Sequence, residues 1–239
     1  MWSLSRKKYF GKQVGKYIIE KPIGEGKYGV CFLAKTDTYD KVVIKKFKKS
    51  IFKRKIDRNV YEAVILSNLR DNGIPEFLGV INQKGFYAFV LEFKNGLTVE
   101  DLLFKYKYKF TNKEFFDIGF KLIKLIKYIH ENGVVHRDIR IPNVLIDNGE
   151  LYLIDFGLAR WVDNNRYPYD LDFSYLGEFL LYLLYSSFET KEKHKKLPWY
   201  KELNLTNKQK LFLKKLLGLE KVYEDIEDIK MDFTNVFGV

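Results

Sequence analysis

The stretch His136-Arg137-Asp138-Ile139-Arg140-Ile141-Pro142-Asn143 decides how the rest of this 239-residue chain is interpreted. Asp138 and Asn143 are five residues apart, so one loop can present a carboxylate to a hydroxyl nucleophile and an amide oxygen to a metal ion. A second carboxylate follows 17 residues after Asp138, in Asp155-Phe156-Gly157. Magnesium keeps several of its waters and needs only one or two protein oxygens. The pattern therefore predicts a hydroxyl-activating carboxylate beside a magnesium site.

A glycine-rich run lies upstream, in Ile23-Gly24-Glu25-Gly26-Lys27-Tyr28-Gly29-Val30-Cys31. Its three glycines follow the pattern Gly-x-Gly-x-x-Gly, which lets the backbone approach phosphate oxygens and donate N–H groups to them. In dinucleotide-binding folds a helix follows this pattern, whereas Cys-Phe-Leu-Ala predicts a strand here. Gly24, Gly26 and Gly29 are therefore candidate phosphate contacts.

A lysine and a glutamate complete the candidate set. Lys45 ends the strand-like run Val42-Val43-Ile44-Lys45, and side chains alternate along a strand, so Lys45 shares a face with Val43 while Lys46 points the other way. Glu62 lies in a helical pattern over 55–69, and we expect it to form an ion pair with Lys45.

These motifs, in this order, resemble the signature set of eukaryotic-type protein kinases: glycine-rich loop, strand lysine, helix glutamate, His-Arg-Asp and Asp-Phe-Gly. The similarity covers about residues 17–235. The compact layout resembles small serine/threonine kinases of Gram-positive bacteria.

The resemblance implies ATP and Mg²⁺ as cofactors and assigns a role to each motif residue. Asp138 would orient the acceptor hydroxyl and take its proton, and Arg140 would contact the γ-phosphate. Asn143 and Asp155 would hold magnesium. The implied contacts of the nucleotide are Lys45 at the α- and β-phosphates, fixed by Glu62; Cys31, Val43 and Leu145 around adenine; Leu91 as gatekeeper; and backbone groups of Glu92 and Lys94. Asp172 resembles a buried helix aspartate that holds the His-Arg-Asp backbone.

The resemblance and the residue patterns together predict an α+β, two-lobed kinase-like fold. We expect a basic N-terminal tail over 1–16, a small β-rich lobe with one main helix over 17–93, and a larger helical lobe over 94–239, with the hinge around 92–96. The residue patterns predict strands around 77–80 and 86–93 and helices at 98–107, 112–131, 172–186, 206–217 and 222–230. In the 55–69 helix, Val60, Val64 and 66–69 lie on recurring faces. The 112–131 helix has a wide apolar face, which consists of Phe115, Phe116, Ile118, Leu122, Ile123, Leu125 and Ile126.

The segment between Asp155 and Asp172 spans only 17 residues, and the Ala-Pro-Glu motif that ends it in most protein kinases is missing. Residues 158–171 contain no Ser or Thr. We therefore predict that activity does not need phosphorylation of this activation segment. Arg137, the usual receiver of that phosphate, would instead bind Asp163, Asp170 or backbone carbonyls.

Composition limits the environment and the partners. One cysteine excludes an internal disulfide and fits a reducing cytoplasm, and no apolar run approaches the length that spans a bilayer. The net charge is +11, and Lys41–Arg58 holds nine basic residues against one acid. We favour a solvated protein surface as the explanation of this basic run. Weak, salt-sensitive binding of nucleic acid or an acidic partner stays open as the alternative.

The leading hypothesis is a protein kinase that transfers the γ-phosphate of ATP to a protein hydroxyl, favouring Ser/Thr over Tyr. The first alternative is an atypical kinase-fold ATPase that serves a nucleic-acid-modifying complex. A pseudokinase is disfavoured because all five motifs are intact, and a small-molecule kinase is disfavoured by the His-Arg-Asp sequence. The sequence names no particular substrate.

Overall fold

A computed structural model describes residues 9–26, 29–38, 40–48, 56–83, 85–188 and 197–238. The chain divides into two compact units, Met1–Lys94 and Asn95–Val239. We describe each unit separately.

The first unit is built on one antiparallel sheet of six strands in the order β1-β2-β3-β4-β6-β5. The strands are β1 (Gln13–Val14), β2 (Tyr17–Glu25), β3 (Gly29–Lys35), β4 (Lys41–Phe47), β5 (Phe77–Gln83) and β6 (Phe86–Glu92). Both strands predicted in the region 77–93 are present, although β5 continues three residues beyond the predicted end at Val80.

Side chains along β3 and β4 point alternately to the two faces of this sheet. Phe32 and Ile44 are cross-strand partners and belong to the buried apolar core. Cys31 pairs with Lys45 on the opposite face. The prediction that Lys45 and Lys46 point in opposite directions is confirmed, because Lys46 lies over the rings of Tyr9 and Phe86, which pack against the core.

The first unit also holds helix α1 (Ile56–Asn68), close to the helix predicted over 55–69. Ile65 and Leu66 are buried, but Val64, which was predicted to lie on a recurring apolar face, is largely exposed. Val60 lies outside the residues whose side chains are described.

The assignment of 1–16 to a basic tail is wrong for the part that the structure describes. Gln13–Val14 forms β1 against β2, and Val14 is buried in the core. The ring of Tyr9 packs edge-on against Phe32, with 5.5 Å between centroids. Although the segment is basic, its apolar residues Tyr9 and Val14 pack in or against the core and hold it against the sheet. The basic positions before Tyr9 lie outside the described residues.

Helices dominate the second unit. They are α2 (Asn112–Glu131), α3 (Asp170–Tyr185), α4 (Trp199–Glu202), α5 (Asn207–Leu216) and α6 (Ile226–Phe237), with a π-helical segment at Asp101–Lys105. Short strands accompany them: β7 (Leu97–Thr98), β8 (Val134–Val135), β9 (Val144–Asp147), β10 (Glu150–Leu153) and β11 (Arg160–Trp161). None of the helices in the described ranges is long and apolar enough to cross a membrane.

Helix α2 has the predicted bounds, and a capping box explains its start. The Thr111 side chain accepts from the Glu114 N–H, and the Glu114 carboxylate accepts from the Thr111 N–H. The predicted apolar face is buried except for Phe116, which is partly exposed. Phe116 instead stacks on Phe233 of α6 at 5.5 Å.

Two helix predictions in this unit need correction, and one short helix was not predicted. The predicted 98–107 helix is a π-helical turn over Asp101–Lys105, and Lys107, two residues beyond it, has φ 55°. The predicted 222–230 helix begins later, since Asp225 caps α6 by accepting from the Glu227 N–H. Helix α4 was not predicted because its four residues are too few for periodicity to show.

Gly119 of α2 lies where the apolar core leaves no space for a side chain. A Cβ atom there would lie 2.5 Å from Cζ of Phe233 and 3.1 Å from Leu180. Phe233 is fully buried, and the rings of Phe212 and Phe237 lie 5.8 and 5.3 Å from it, so it has little room to move.

We therefore predict that Gly119→Ala destabilises the protein, by about 1–3 kcal/mol in free energy of unfolding. In an open helix the same change would add up to about 1 kcal/mol of stability. Urea denaturation followed by circular dichroism measures the difference. Lys113→Ala, at an exposed position of the same helix, is the control and should change stability by less than about 0.5 kcal/mol. A more stable Gly119→Ala variant would contradict the packing explanation.

Candidate active site

The predicted phosphate loop joins β2 and β3. The Gly26 N–H donates to the Gly29 carbonyl at 3.0 Å, and residues 27–28 between them lie outside the described residues. A Cβ at Gly29 would lie 2.2 Å from the Lys46 carbonyl oxygen, whereas one at Gly26 would meet nothing within 4 Å. Gly29 is therefore required by close packing of β3 on β4.

Lys45 and Glu62 form a buried ion pair within the first unit. Nζ of Lys45 lies 2.6 Å from Oε1 of Glu62, and the two residues are 8% and 2% exposed. Removing one partner would leave an unpaired buried charge, which typically costs about 3–5 kcal/mol. The pair therefore fixes the ammonium on the face of the sheet that carries Cys31.

The same sheet face carries the other predicted adenine contacts of this unit. Val43 pairs with Leu33 on one side and with Leu91 on the other, and it lies two residues from Lys45. Cys31, Val43, Lys45 and Leu91 thus share a face. The remaining predicted adenine contact, Leu145, lies in β9 of the second unit, where it pairs with Thr98 and Tyr152.

The predicted hinge residues are held by local polar contacts. The backbone N–H of Glu92 donates to the Glu76 carbonyl at 2.9 Å, so that donor is already engaged. The Glu92 carboxylate accepts from Nζ of Lys94 at 2.7 Å and from the Glu76 N–H at 3.1 Å.

In the second unit, the buried carboxylate of Asp172 organises the His-Arg-Asp loop. Its oxygens accept from the backbone N–H groups of His136 at 2.8 Å and Arg137 at 2.7 Å. Nε2 of His130 lies 2.9 Å from Oδ2. Arg137 has φ 68°, a left-handed conformation that costs free energy in a non-glycine residue. The hydrogen bonds to Asp172 stabilise that conformation.

Asp138 lies in a dense polar cluster. Its Oδ2 accepts from Nδ2 of Asn143 at 2.8 Å, and Arg140 contacts both carboxylate oxygens, with Nε 2.6 Å from Oδ1 and Nη2 3.1 Å from Oδ2. Hydrogen bonding to Asp138 raises the pKa of Arg140. Three donors from two side chains therefore hold the Asp138 carboxylate in one orientation.

His136 supports this cluster as a neutral side chain. Its Nδ1 accepts from the Asp138 N–H at 3.2 Å, and burial holds the pKa of the imidazole below its usual range. The His136 ring packs edge-on against Phe156, with centroids 4.6 Å apart. Phe156 thereby anchors the residue before it, Asp155.

Asn143 and Asp155 have a donor set that fits magnesium. The Asn143 amide nitrogen donates twice to Asp138, which leaves its oxygen as the acceptor available to a cation. The Ile154 N–H donates to the Asn143 backbone carbonyl at 2.9 Å. This hydrogen bond ties Asn143 to the residue that precedes Asp155. No cluster of three or more His, Cys, Asp or Glu residues suited to a metal exists in the described part of the chain. Two hard oxygens are nevertheless enough for Mg²⁺ bound with phosphates.

The short activation segment folds back on itself. Strand β11 pairs with β8, and Asp163 and Tyr167 form a bridge that closes a tight turn. Nη1 of Arg137 donates to the Leu158 carbonyl at 3.0 Å, and Cζ of Arg137 lies 4.3 Å from the centroid of the Tyr167 ring. The expectation of a backbone carbonyl partner is confirmed.

The structure shows a different use for Asp163, one of the carboxylates expected to bind Arg137. Its side chain accepts from the backbone N–H groups of Asn165 and Arg166. Sequence reasoning missed the ring of Tyr167 as a partner of Arg137, and it missed His130 as a partner of Asp172. Spacing carries no signal for either contact, since both depend on how distant segments pack.

A β-rich unit with a buried lysine–glutamate pair, and a helical unit with an aspartate held in a strained loop, define a phosphotransferase of the kinase class. A family model described as "Protein kinase domain" matches residues 17–177, and the chain belongs to that family. The predicted α+β kinase fold and the predicted transfer of phosphate to a protein hydroxyl are confirmed.

Relatives named as protein kinases match much of the chain. The chain is 35% identical over 226 residues to a protein of Bacillus subtilis (strain 168) named "Probable serine/threonine-protein kinase YbdM", with 91% of this chain and 88% of the relative aligned. It is 32% identical to mitogen-activated protein kinase 4 of rice (Oryza sativa subsp. japonica) over 61% of this chain and 41% of the relative. The Aurora kinase of Schizosaccharomyces pombe is 31% identical, over 64% of this chain and 44% of the relative.

We predict that the aromatic ring of Tyr167, and not a phosphate, holds Arg137 in the working enzyme. Tyr167→Ala should lower phosphate transfer about five- to thirty-fold, because a cation–π contact of this kind contributes roughly 1–2 kcal/mol. Tyr167→Phe keeps the ring and should retain nearly the wild-type rate. Initial rates of transfer from radiolabelled ATP measure both.

The Tyr167→Phe/Tyr169→Phe double variant and a phosphatase-treated wild type are the controls. Tyr169→Phe removes only the hydroxyl that donates to the His130 carbonyl at 2.9 Å. A ten-fold loss in both controls would mean that tyrosine phosphorylation drives activity, which would overturn the prediction.

Proposed function

We propose that this chain is an active, magnesium-dependent protein kinase that transfers the γ-phosphate of ATP to serine or threonine hydroxyls of proteins. The observation that carries the proposal is the Asp138 carboxylate, which Asn143 and Arg140 hold in a loop fixed by Asp172. The names of the bacterial relative and its homologues support the choice of Ser/Thr.

In this proposal Asp138 orients the acceptor hydroxyl and takes its proton as the hydroxyl oxygen bonds to the γ-phosphorus. The bond from that phosphorus to the bridging oxygen breaks, and ADP leaves with the electron pair. Arg140 offers its guanidinium to the γ-phosphate, and Lys45, fixed by Glu62, binds the α- and β-phosphates. Positioning and electrostatic stabilisation supply most of the catalysis.

Asn143 and Asp155 would hold magnesium through their side-chain oxygens. The ion, when bound, supplies positive charge that neutralises the phosphate oxygens. Gly24 and Gly26 would lie against the phosphates, where the absence of a side chain lets the backbone approach closely. A cytoplasmic location is part of the same proposal. The nucleic-acid-associated alternative has no support among the relatives named above, which are protein kinases by name.

We predict that Asp138→Asn and Lys45→Met each reduce phosphate transfer by at least about a hundred-fold, because each removes a charged group from the reaction. Lys46→Met is a matched control on the same strand, since Lys46 lies on the opposite face against aromatic rings. Asp117→Asn, at an exposed position of α2, controls for loss of a carboxylate. Transfer to a generic protein and phosphoamino-acid analysis test rate and residue preference together. Wild-type transfer by either active-site variant would refute the proposal.

We also predict that Cys31 lines the adenine pocket. It is partly exposed and directly opposite Lys45. Saturating ATP should therefore slow its alkylation by iodoacetamide several-fold, whereas uridine at the same concentration should not. Because Cys31 is the chain's single cysteine, mass spectrometry of the intact protein reads this reaction without ambiguity. Equal rates with and without ATP would place Cys31 outside the pocket.

A further inference from the structure

A groove on the second unit has no role in the mechanism above. It has a volume of 460 Å³ and is lined by residues of two segments, 103–104 with 107–109 and Tyr182 with 185–186. The first segment contains most of an unusual alternation, Phe104-Lys105-Tyr106-Lys107-Tyr108-Lys109-Phe110, in which aromatic and cationic side chains follow one another. We call this feature the aromatic–lysine groove.

The backbone of this segment is irregular and firmly anchored. The π-helix ends at Lys105, and Lys107 has φ 55°, a conformation that costs free energy in a residue with a side chain. The Phe110 N–H donates to the Ser186 hydroxyl at 3.0 Å, and the Ser187 hydroxyl donates to the Phe110 carbonyl at 2.8 Å. π-Helical turns and strained residues are both concentrated at functional sites.

The groove exposes large apolar side chains to solvent. Phe104 is 55% exposed and Tyr182 of α3 is 47% exposed, although the two rings touch edge-to-face at 6.5 Å. Exposed aromatic groups that surround a concave surface are typical of interaction sites, because covering them removes apolar area from water.

The charge around the groove is positive. Lys105, Lys107 and Lys109 follow one another without an acid between them, and Lys107 forms no ion pair with any residue in the described ranges. The two carboxylates bonded to lining tyrosines are already hydrogen-bonded. Glu114 caps α2 and accepts from the Tyr108 hydroxyl at 2.5 Å, and Glu202 accepts from the Tyr185 hydroxyl at 2.6 Å. A ligand that complements the groove therefore needs negative charges beside an apolar group.

We propose that the aromatic–lysine groove is a docking site for an acidic segment of the protein substrate that carries an aromatic side chain. The proposal rests on the protein kinase function proposed above. The substrate's ring would enter beside Phe104 and Tyr182, and its carboxylates would pair with the lysines. Docking outside the catalytic loop would raise the local concentration of the acceptor hydroxyl and lower KM without changing kcat.

The ring geometry favours a peptide over single-stranded nucleic acid. Bases stack on aromatic faces that are presented as platforms. Here the Phe104 and Tyr182 planes meet at 87°. This pair of lining rings does not offer successive parallel faces.

The test is direct binding measured by fluorescence anisotropy, which does not depend on catalysis. The probe is a fluorescein-labelled peptide, Glu-Asp-Glu-Phe-Asp-Glu; controls are its Phe→Ser form and a labelled oligothymidylate. Phe104→Ser and Lys107→Glu should each weaken binding of the Phe peptide at least about ten-fold. Two control variants change exposed residues elsewhere in this unit: Leu219→Ser replaces an apolar side chain with serine, and Lys208→Glu reverses a lysine charge. Both should leave binding unchanged.

A kinetic arm separates docking from catalysis. Appending the Phe peptide through a glycine-serine linker to a serine-containing substrate should lower KM, and Phe104→Ser should abolish that gain without altering transfer to the unappended substrate. If the wild-type protein transferred phosphate to neither substrate, the proposed kinase function would be wrong. The anisotropy measurement would still test binding at the groove, because it does not depend on catalysis. Failure of the Phe peptide to bind, equal binding by all variants, or tighter groove-dependent binding of oligothymidylate would each overturn the docking proposal.

Discussion

The conformation of the catalytic loop depends on hydrogen bonds from its backbone to the buried carboxylate of Asp172. Asp172 is inaccessible to solvent, and its two oxygens receive the backbone N–H groups of His136 and Arg137 and face the ring of His130. A buried carboxylate is tolerated only when hydrogen bonds compensate its desolvation. These donors supply that compensation and also hold Arg137 in a backbone conformation that it would otherwise leave.

Each unit therefore brings its own polar set to the reaction. In the first unit the lysine–glutamate pair fixes a cation on one face of a sheet, and in the second unit Asn143 and Arg140 hold the carboxylate of Asp138. The hydrogen bonds and ion pairs named for each cluster lie within its own unit. Buried polar groups in such networks make a local geometry specific, because any alternative arrangement leaves a donor or acceptor without a partner.

The sequence predicted most of the fold and the identity of the motif residues, because both depend on short-range patterns. The period of apolar residues placed α2 to the residue, and alternation placed Lys45 and Lys46 on opposite faces. The roles assigned to Asp138, Asn143 and Asp155 came from the family resemblance and stay predictions until they are tested. The structure supplies the local contacts that make those roles chemically reasonable.

What the sequence could not predict depends on contacts between distant segments or on local backbone strain. Nothing in its spacing shows that Tyr167 covers the guanidinium of Arg137 or that Tyr9 packs on Phe32. Helix α6 starts later than predicted because Asp225 caps it. Acidic and apolar residues occur on both sides of Asp225, so the pattern alone does not mark this start. The π-helical turn ends at Lys105, and Lys107, two residues further on, has positive φ, which periodicity cannot detect.

The register of β3 and β4 also limits how the gene for such a protein can change. Cys31 and Lys45 are opposite one another, and each neighbouring residue points to the other side. Deleting one codon within β4 before Lys45 would move Lys45 into the buried position of Ile44, because side-chain direction repeats every two residues. A lysine ammonium would then enter the apolar core beside Phe32. Point substitutions on the exposed rim of this sheet are therefore far better tolerated than any change in the length of its central strands.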